Sequence, residues 1–260
     1  MEAASSPAAR PQQPAAPTQR TKSGLIAEFG ELAIFSLQAL RALPGSLRYF
    51  SEVMRLNAVI TRRMSLLLFV MSGFLGASVA NFGFFLLRSL GASDYVGIVP
   101  GILIPFFLGP QMFGYVFAGS FCCGIAAELG SAKVQQEVSA YESEGVDPMQ
   151  ILVGARILAV ILYLPLAAML TFAGMMGGSY MIVVVILQGN TAHQFLSEFF
   201  SVIAVYKVLF LSITVGLIAL QCVLVACFYG MRTSGGPRAV GSAVSRSLGV
   251  NLVLLHVVLA

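Results

Sequence analysis

The chain has 260 residues and a formal net charge of +4; 58% of its residues are hydrophobic and only 10% are charged. Soluble proteins contain roughly 45–50% apolar and about 25% charged residues, so this composition excludes an ordinary soluble domain. Backbone polar groups must be satisfied inside a bilayer, and a helix does this within one segment. We therefore expect an all-α protein that crosses a membrane several times.

The first 43 residues divide into two parts. Residues 1–24 contain four prolines among Ala and Gln and no apolar run, so they predict a disordered tail rather than a signal peptide. From Leu25 to Leu43, apolar residues share one side of a helix, opposite Glu28 and Glu31. This pattern predicts an amphipathic helix that lies along the membrane surface and ends at Pro44-Gly45.

Four later stretches are long enough to span a hydrocarbon core, which requires about 20 mostly apolar residues. They are Met64–Leu87, Val96–Ala127, Ile157–Leu187 and Val208–Met231. A fifth, Ser247–Ala260, is shorter; it spans if its helix starts earlier, near Gly241, or if the natural chain continues past Ala260. The sequence therefore predicts about five transmembrane helices after the surface helix.

The second span has an unusual first half, which contains Pro100, Pro105 and Pro110. Each proline removes a backbone donor, so this half is expected to be buried by other helices or to be re-entrant. Small residues spaced four apart occur in the first three spans. Such rows indicate close helix packing within the chain, or alternatively a dimer contact; they are Gly73, Ala77, Gly114, Ala118, Cys122, Ala126, Gly174 and Gly178.

Basic residues are distributed unevenly between the two sides of the membrane. If the spans alternate, thirteen Lys and Arg residues fall on the side of the amino terminus and two, Arg88 and Lys207, fall on the other side. Lys and Arg are enriched in cytoplasmic loops, so the amino terminus and the loop after the second span are expected in the cytoplasm. This bias accounts for the positive charge, and no nucleic-acid partner is expected.

The sequence lacks the motifs of an enzyme. It has no G-x-x-x-x-G-K-[ST] phosphate loop, and Gly235-Gly236-Pro237 is typical of a turn. His193 and His256 lie in an outer loop and in the last apolar run, the cysteines are expected to pack inside spans, and no metal site is expected. No Asp or Glu lies at the middle of a span, which disfavours an ion-coupled carrier and suits an apolar cargo with an energy source elsewhere.

An acidic segment, defined here as residues 128–148, separates the second and third spans. It carries Glu128, Glu137, Glu142, Glu144 and Asp147, and the stretches on either side, Val96–Ala127 and Ile157–Phe195, have no charged side chain. Because five acids cannot lie in lipid, this segment must lie at the membrane face.

The acidic segment also predicts a definite shape. Ser131–Tyr141 is expected to form a short helix with Gln135, Gln136 and Ser139 toward water and Val134, Val138 and Tyr141 available for contact. Gly145 permits a left-handed turn, and Asp147-Pro148 can begin the next helix. A rigid acidic element at a membrane face favours a docking site for another protein.

The same residues resemble the MlaE/YrbE permease family. The resemblance rests on Leu108-Gly109-Pro110, Ala126-Ala127-Glu128-Leu129-Gly130, Glu137, Ala140, Glu142, Gly145-Val146-Asp147-Pro148 and Arg156, with Gly235-Gly236-Pro237 as a second motif. It covers residues 25–260, which form the expected permease domain. Ser120 stands where many members have an arginine, and this departure looks closer to the actinobacterial YrbE permeases of Mce lipid importers.

The resemblance implies the membrane subunit of an ABC transporter, with an interfacial helix, five transmembrane helices and a coupling helix after the second. It further implies a separate cytoplasmic ATPase that holds ATP and Mg, a second permease in a homo- or heterodimer, MCE-domain proteins, and a lipid cargo. The location would be the bacterial inner membrane. The ATPase-coupling residues would be Glu128, Lys133, Glu137, Tyr141, Glu142, Glu144, Gly145, Asp147 and Pro148.

Two other functions are considered. An ion-coupled secondary transporter of a hydrophobic substrate is disfavoured by the missing carboxylates and by the absence of a sequence repeat. A membrane scaffold without transport activity is less attractive, because a simple anchor would not need three prolines in one span.

Overall fold

A computed structural model describes residues 25–260 of the chain, and the tail predicted for residues 1–24 lies outside the described residues. The described part is all-α and contains five helices long and apolar enough to cross a membrane. In chain order, the helical runs are α1 (Leu25–Ser46), α2 (Phe50–Ser89), α3 (Ser93–Val134), α4 (Glu137–Ser143), α5 (Met149–Ile186), α6 (Ala192–Ser201), α7 (Val205–Met231) and α8 (Pro237–Leu259).

Helix α1 is the expected amphipathic helix, but Pro44-Gly45 does not end it. Pro44 lies within its last turn, and a 3₁₀ turn at Leu47–Tyr49 leads directly into α2. Pro44 has no N–H to donate to the carbonyl oxygen of Leu40, and the helix continues past this lost hydrogen bond for two residues before it ends at Ser46. Apolar side chains of α1, including Phe29 and Leu37, are exposed in the isolated chain, as expected of a face that lies on a membrane.

Glycines bring α2 and α5 into backbone contact. A Cβ added at Gly174 would lie 2.6 Å from the carbonyl oxygen of Phe69, and one at Gly178 would overlap the backbone of Gly73. The Ser179 hydroxyl donates a hydrogen bond of 2.9 Å to the carbonyl oxygen of Gly76. The small residues in these two spans therefore serve internal packing, the first of the two interpretations of the sequence.

Helix α3 corrects the prediction of a re-entrant segment. The chain runs in one direction from Ser93 to Val134, with π-helical turns at Ile104–Leu108 and Phe117–Cys122. The first of these turns contains Pro105, where a wider turn accommodates the missing hydrogen-bond donor. The three prolines are buried, so the alternative expectation, burial by neighbouring helices, is confirmed.

Helices α7 and α8 complete the bundle. Helix α8 begins at Pro237, four residues before the earliest expected start, and this gives the fifth span its length. The side chain of Gln221 donates a hydrogen bond of 3.0 Å to Asn251 Oδ1, and Asn251 donates to the carbonyl oxygen of Cys222 at 3.3 Å. Cys122, Cys222 and Cys227 are buried free thiols.

The loop between the third and fourth spans contains a helix that the sequence analysis missed. Helix α6 begins after Thr191, whose side chain accepts a hydrogen bond from the backbone N–H of Gln194. Two residues of α6, Phe195 and Phe199, are fully buried. The carboxylate of Glu198, also in α6, accepts a 3.0 Å hydrogen bond from the Gly97 N–H. Helix α6 thereby covers the start of α3.

Candidate functional site

The acidic segment lies at one end of the bundle, which we call the acidic end. Its five acids, Glu128, Glu137, Glu142, Glu144 and Asp147, are all exposed. Helices α1, α3 and α5 and the junction of α7 with α8 have their termini near it. Glu128 and Glu137 line one groove, and the other three acids follow on the exposed side of α4 and its exit turn.

The entry into the segment differs from the predicted helix at Ser131–Tyr141. Helix α3 continues to Val134, and a separate helix, α4, begins at Glu137 after Gln136 adopts a left-handed conformation with φ of 62°. The break reorients the chain but preserves the predicted faces. Val138 is only 1% exposed, whereas Gln135, Gln136 and Ser139 are exposed. The buried Val138 therefore anchors α4 against the end of α3.

The exit from the segment has the predicted turn at Gly145, which has φ of +74°. The Gly145 N–H donates to the carbonyl oxygen of Glu142 at 3.2 Å, and the Val146 N–H donates to that of Tyr141 at 2.9 Å, the pattern of a Schellman motif. The Asp147 carboxylate then accepts a 2.9 Å hydrogen bond from the Met149 N–H, and Pro148 precedes α5. The segment is therefore held in one shape by local hydrogen bonds.

Replacement of Gly145 with Val is expected to destabilise this shape. An added Cβ would meet no atom within 4 Å, so the cost is conformational, about 1–2 kcal/mol for a left-handed residue. Gly145→Asn is the matched control, because Asn tolerates this conformation far better. Limited proteolysis of the purified protein should cut the Val variant faster within residues 135–148; equal cutting of both variants would contradict the assignment.

Arg156 also lies at the acidic end. It belongs to the motif that resembles the permease family, but it was not among the predicted coupling residues. Its Nη2 lies 3.3 Å from Glu128 Oε2, and its Nη1 donates to the carbonyl oxygen of Leu152 at 2.6 Å. An open groove with a volume of about 470 Å³ lies beside this pair. It is lined by Ala127, Glu128, Leu129, Ser131, Ala132, Gln135, Glu137, Leu152 and Arg156. Two of the predicted coupling residues, Lys133 and Tyr141, are half-buried.

Helix α1 is attached to the acidic end by specific contacts. Glu31 forms an ion pair with Arg232, and the Tyr229 hydroxyl donates a 2.9 Å hydrogen bond to Glu28. The ring of Phe35 packs edge-on against that of Phe228, with centroids 5.6 Å apart. The surface helix is thus joined to the end of α7, a contact that the apolar periodicity of α1 alone did not indicate.

The histidines do not join the acidic segment. His193 is exposed on α6, and His256 forms hydrogen bonds of 3.0 Å with the Tyr115 hydroxyl and 2.7 Å with the carbonyl oxygen of Leu252. Within residues 25–260, no group of three or more His, Cys, Asp or Glu side chains lies close enough to hold a metal ion.

Comparison with known proteins gives the family. A family model described as "Permease MlaE" matches residues 54–260. A probable ABC transporter permease protein of Rickettsia bellii is 24% identical over 232 residues, which cover 89% of each chain. The intermembrane phospholipid transport system permease protein MlaE of Haemophilus influenzae is 30% identical over 117 residues, 44% of this chain and 45% of its own.

A plant protein is also similar. The chloroplastic protein TRIGALACTOSYLDIACYLGLYCEROL 1 of Arabidopsis thaliana is 27% identical over 171 residues, which cover 63% of this chain and 47% of the relative. The family match includes residues 54–89 of the first candidate span, the four later spans and the whole acidic segment. Because it covers well over half of the sequence, the chain belongs to the MlaE permease family.

Proposed function

We propose that the chain is the permease subunit of a lipid transporter in the bacterial inner membrane, driven by a separate cytoplasmic ABC ATPase. The observation that carries this proposal is the family match over a chain whose acidic segment is exposed and held in one shape. An ATPase has to push on a rigid element, and α4 with the Gly145 turn is such an element at the end of two spans.

The expected orientation follows from the basic residues and agrees with this role. Within residues 25–260, ten of the twelve Lys and Arg residues precede the first apolar span or lie in the stretches 128–156 and 232–246, and cytoplasmic loops are enriched in these residues. Helix α1 presents an exposed apolar face at the acidic end, where it would rest on the inner leaflet. In this orientation, α6 faces the opposite compartment, the side on which MCE-domain proteins would bind.

The coupling residues are proposed from their positions in the segment. Glu128, Lys133, Glu137, Tyr141, Glu142, Glu144, Gly145, Asp147 and Pro148 would contact the ATPase or maintain the shape that it recognises. The family relatives are named as ABC transporter permeases and, in one case, as a phospholipid transport permease. A lipid cargo also suits the absence of carboxylates from the apolar cores of the spans.

Native purification tests the proposal. The tagged full-length chain, extracted from its own membrane, should carry an ABC ATPase, a second permease subunit, MCE-domain proteins and bound lipid, identified by mass spectrometry. Deletion of residues 142–148 should remove the ATPase but leave the chain in the membrane. Lipid movement driven by an ion gradient in vesicles without an ATPase would instead support a secondary transporter and contradict the proposal.

A further inference from the structure

The two ends of the acidic segment lead into helices with different neighbours. The last part of α3, Cys123–Val134, packs on α7 and α8. The first turns of α5, Met149–Gly154, pack on α1, and the rest of α5 packs mainly on α2 and to a smaller extent on α7. A displacement of the segment therefore enters two helix groups, one containing α3 and the other containing α5.

An ion pair joins these two ends directly. Glu128 lies in the last turns of α3, Arg156 lies in the first turns of α5, and their Oε2 and Nη2 atoms are 3.3 Å apart. The Arg156 side chain is only 12% exposed, whereas that of Glu128 is 59% exposed. Among the residues that the structure describes, Glu128 is the carboxylate within ion-pair distance of Arg156.

Burial makes this pair matter more than an ordinary surface ion pair. An exposed ion pair contributes little, because water screens it. Loss of Glu128 would instead leave a largely buried guanidinium without a counter-charge, which is unfavourable. Within the described residues, the Arg156 Nε is already buried without a hydrogen-bond partner, so the side chain depends on Glu128 and on the Leu152 carbonyl.

Open space adjoins the pair where the two helix ends approach each other. The groove of about 470 Å³ lies on one side, and a crevice of about 70 Å³ between α2 and α3 lies on the other. Glu128 and Arg156 line both spaces. Ile125 and Leu129 of α3 and Val153 and Ile157 of α5 also belong to one buried apolar core. The ion pair adds a direct polar contact between the two helix ends to that shared core.

We propose that Glu128 and Arg156 are positioning residues that make the two helix groups move together when the ATPase displaces the acidic segment. The inference rests on the proposed function and assigns to this pair the transmission of the movement, not the docking. Without the pair, the ATPase still docks through α4 and the Gly145 turn. The movement of the acidic segment then displaces the helix group of α3 and the helix group of α5 by unequal amounts. ATP is then hydrolysed without a matching movement of lipid.

The test measures lipid moved per ATP hydrolysed. The full-length permease is purified with its co-purifying ATPase and reconstituted in vesicles of phosphatidylethanolamine and phosphatidylglycerol that contain a fluorescent phosphatidylethanolamine as probe. Glu128→Arg and Arg156→Glu should each lower the ratio on the order of tenfold, the range expected for coupled charged residues. The double exchange, Glu128→Arg with Arg156→Glu, should restore most of the wild-type ratio. The conservative variant Arg156→Lys should retain most of it, because the positive charge is kept.

Arg62→Glu is the matched charge-reversal control, since Arg62 is exposed on α2 and does not line either space. The ratio should be unchanged in this variant. Two results would overturn the proposal. In the first, the single variants keep the wild-type ratio. In the second, the single variants lose either the ATPase or their thermal stability in detergent, and the double exchange does not restore what was lost. Absence of any ATPase from the wild-type preparation would contradict the proposed function instead.

Discussion

Replacement of Val138 with Asp is expected to prevent an ABC ATPase from binding while the transmembrane bundle remains folded. Val138 is 1% exposed and anchors α4 on the end of α3. Helix α4 has seven residues, well below the roughly 12–15 residues that an isolated helix needs in water. A buried, unpaired carboxylate is so unfavourable, by several kcal/mol, that α4 should detach from α3 and lose its structure.

Ser139→Asp provides the matched control for this prediction. Ser139 is the next residue of α4, it is exposed, and the substitution adds the same charge. The ATPase should co-purify with the Ser139→Asp variant as with the wild type and should be reduced on the order of 100-fold with Val138→Asp, as expected for a loss of about 3 kcal/mol of binding free energy. Equal recovery of the ATPase with both variants would show that α4 is not the docking element.

Replacement of Gly178 with Ala is expected to separate α2 from α5 and destabilise the whole bundle. The new methyl group would overlap the backbone of Gly73, and a backbone cannot rotate away as a side chain can. Overpacking of this kind costs about 1–3 kcal/mol or more, which outweighs the roughly 1 kcal/mol that Ala gains over Gly in a helix. The thermal midpoint of the purified protein in detergent should fall.

The neighbouring glycine gives the control for this second prediction. Gly177 lies on the same helix, and a Cβ added there would meet no atom within 4 Å. Gly177→Ala should therefore leave the thermal midpoint unchanged or raise it slightly. If Gly177→Ala and Gly178→Ala had the same effect, the close approach of α2 and α5 would not determine stability.

The spans could be predicted because the bilayer imposes a simple requirement of length and apolarity on each helix. Val208–Met231 differs from the observed α7 only at its start. The fifth span was less certain from sequence because Arg238 and Arg246 interrupt its apolar run, whereas the observed helix begins at Pro237. Arg238 lies in the first turn of α8, and a long basic side chain further along a helix can bury its apolar stem while its charged head reaches the membrane surface. Neither arginine therefore stops the helix.

The course of the backbone at prolines and polar loops was harder to predict. The wider turn at Ile104–Leu108 absorbs the effect of Pro105, and hydropathy carries no information about such a turn. Helix α6 had a local signal that was overlooked, because Thr191 is an N-capping residue and Phe195 and Phe199 lie four positions apart on one face. Its stability comes from burial of Phe195 and Phe199 against other helices, which a local pattern does not show.

Parts of the candidate site were readable because local chemistry dictates them. Gly145 is the residue type that a left-handed turn favours, and the turn is present. In contrast, the Glu128–Arg156 ion pair joins residues 28 positions apart, and the contact of Glu31 with Arg232 joins more distant ones. Such pairs depend on how the helices pack, so the sequence pattern indicated the acidic surface but not its links to α1 and α5.

The most direct measurement is site-specific photo-crosslinking in native membranes. A photoreactive residue is placed at Ser143, exposed in α4, or at Ser201, exposed in α6. We expect the residue at Ser143 to crosslink to an ATP-binding protein and to be shielded from membrane-impermeant reagents added outside the cell. The residue at Ser201 should react with those reagents and should not crosslink to the ATP-binding protein. Labelling of Ser143 from the outside, or capture of the ATP-binding protein only at Ser201, would contradict the claim that ATP-driven force enters through the acidic segment.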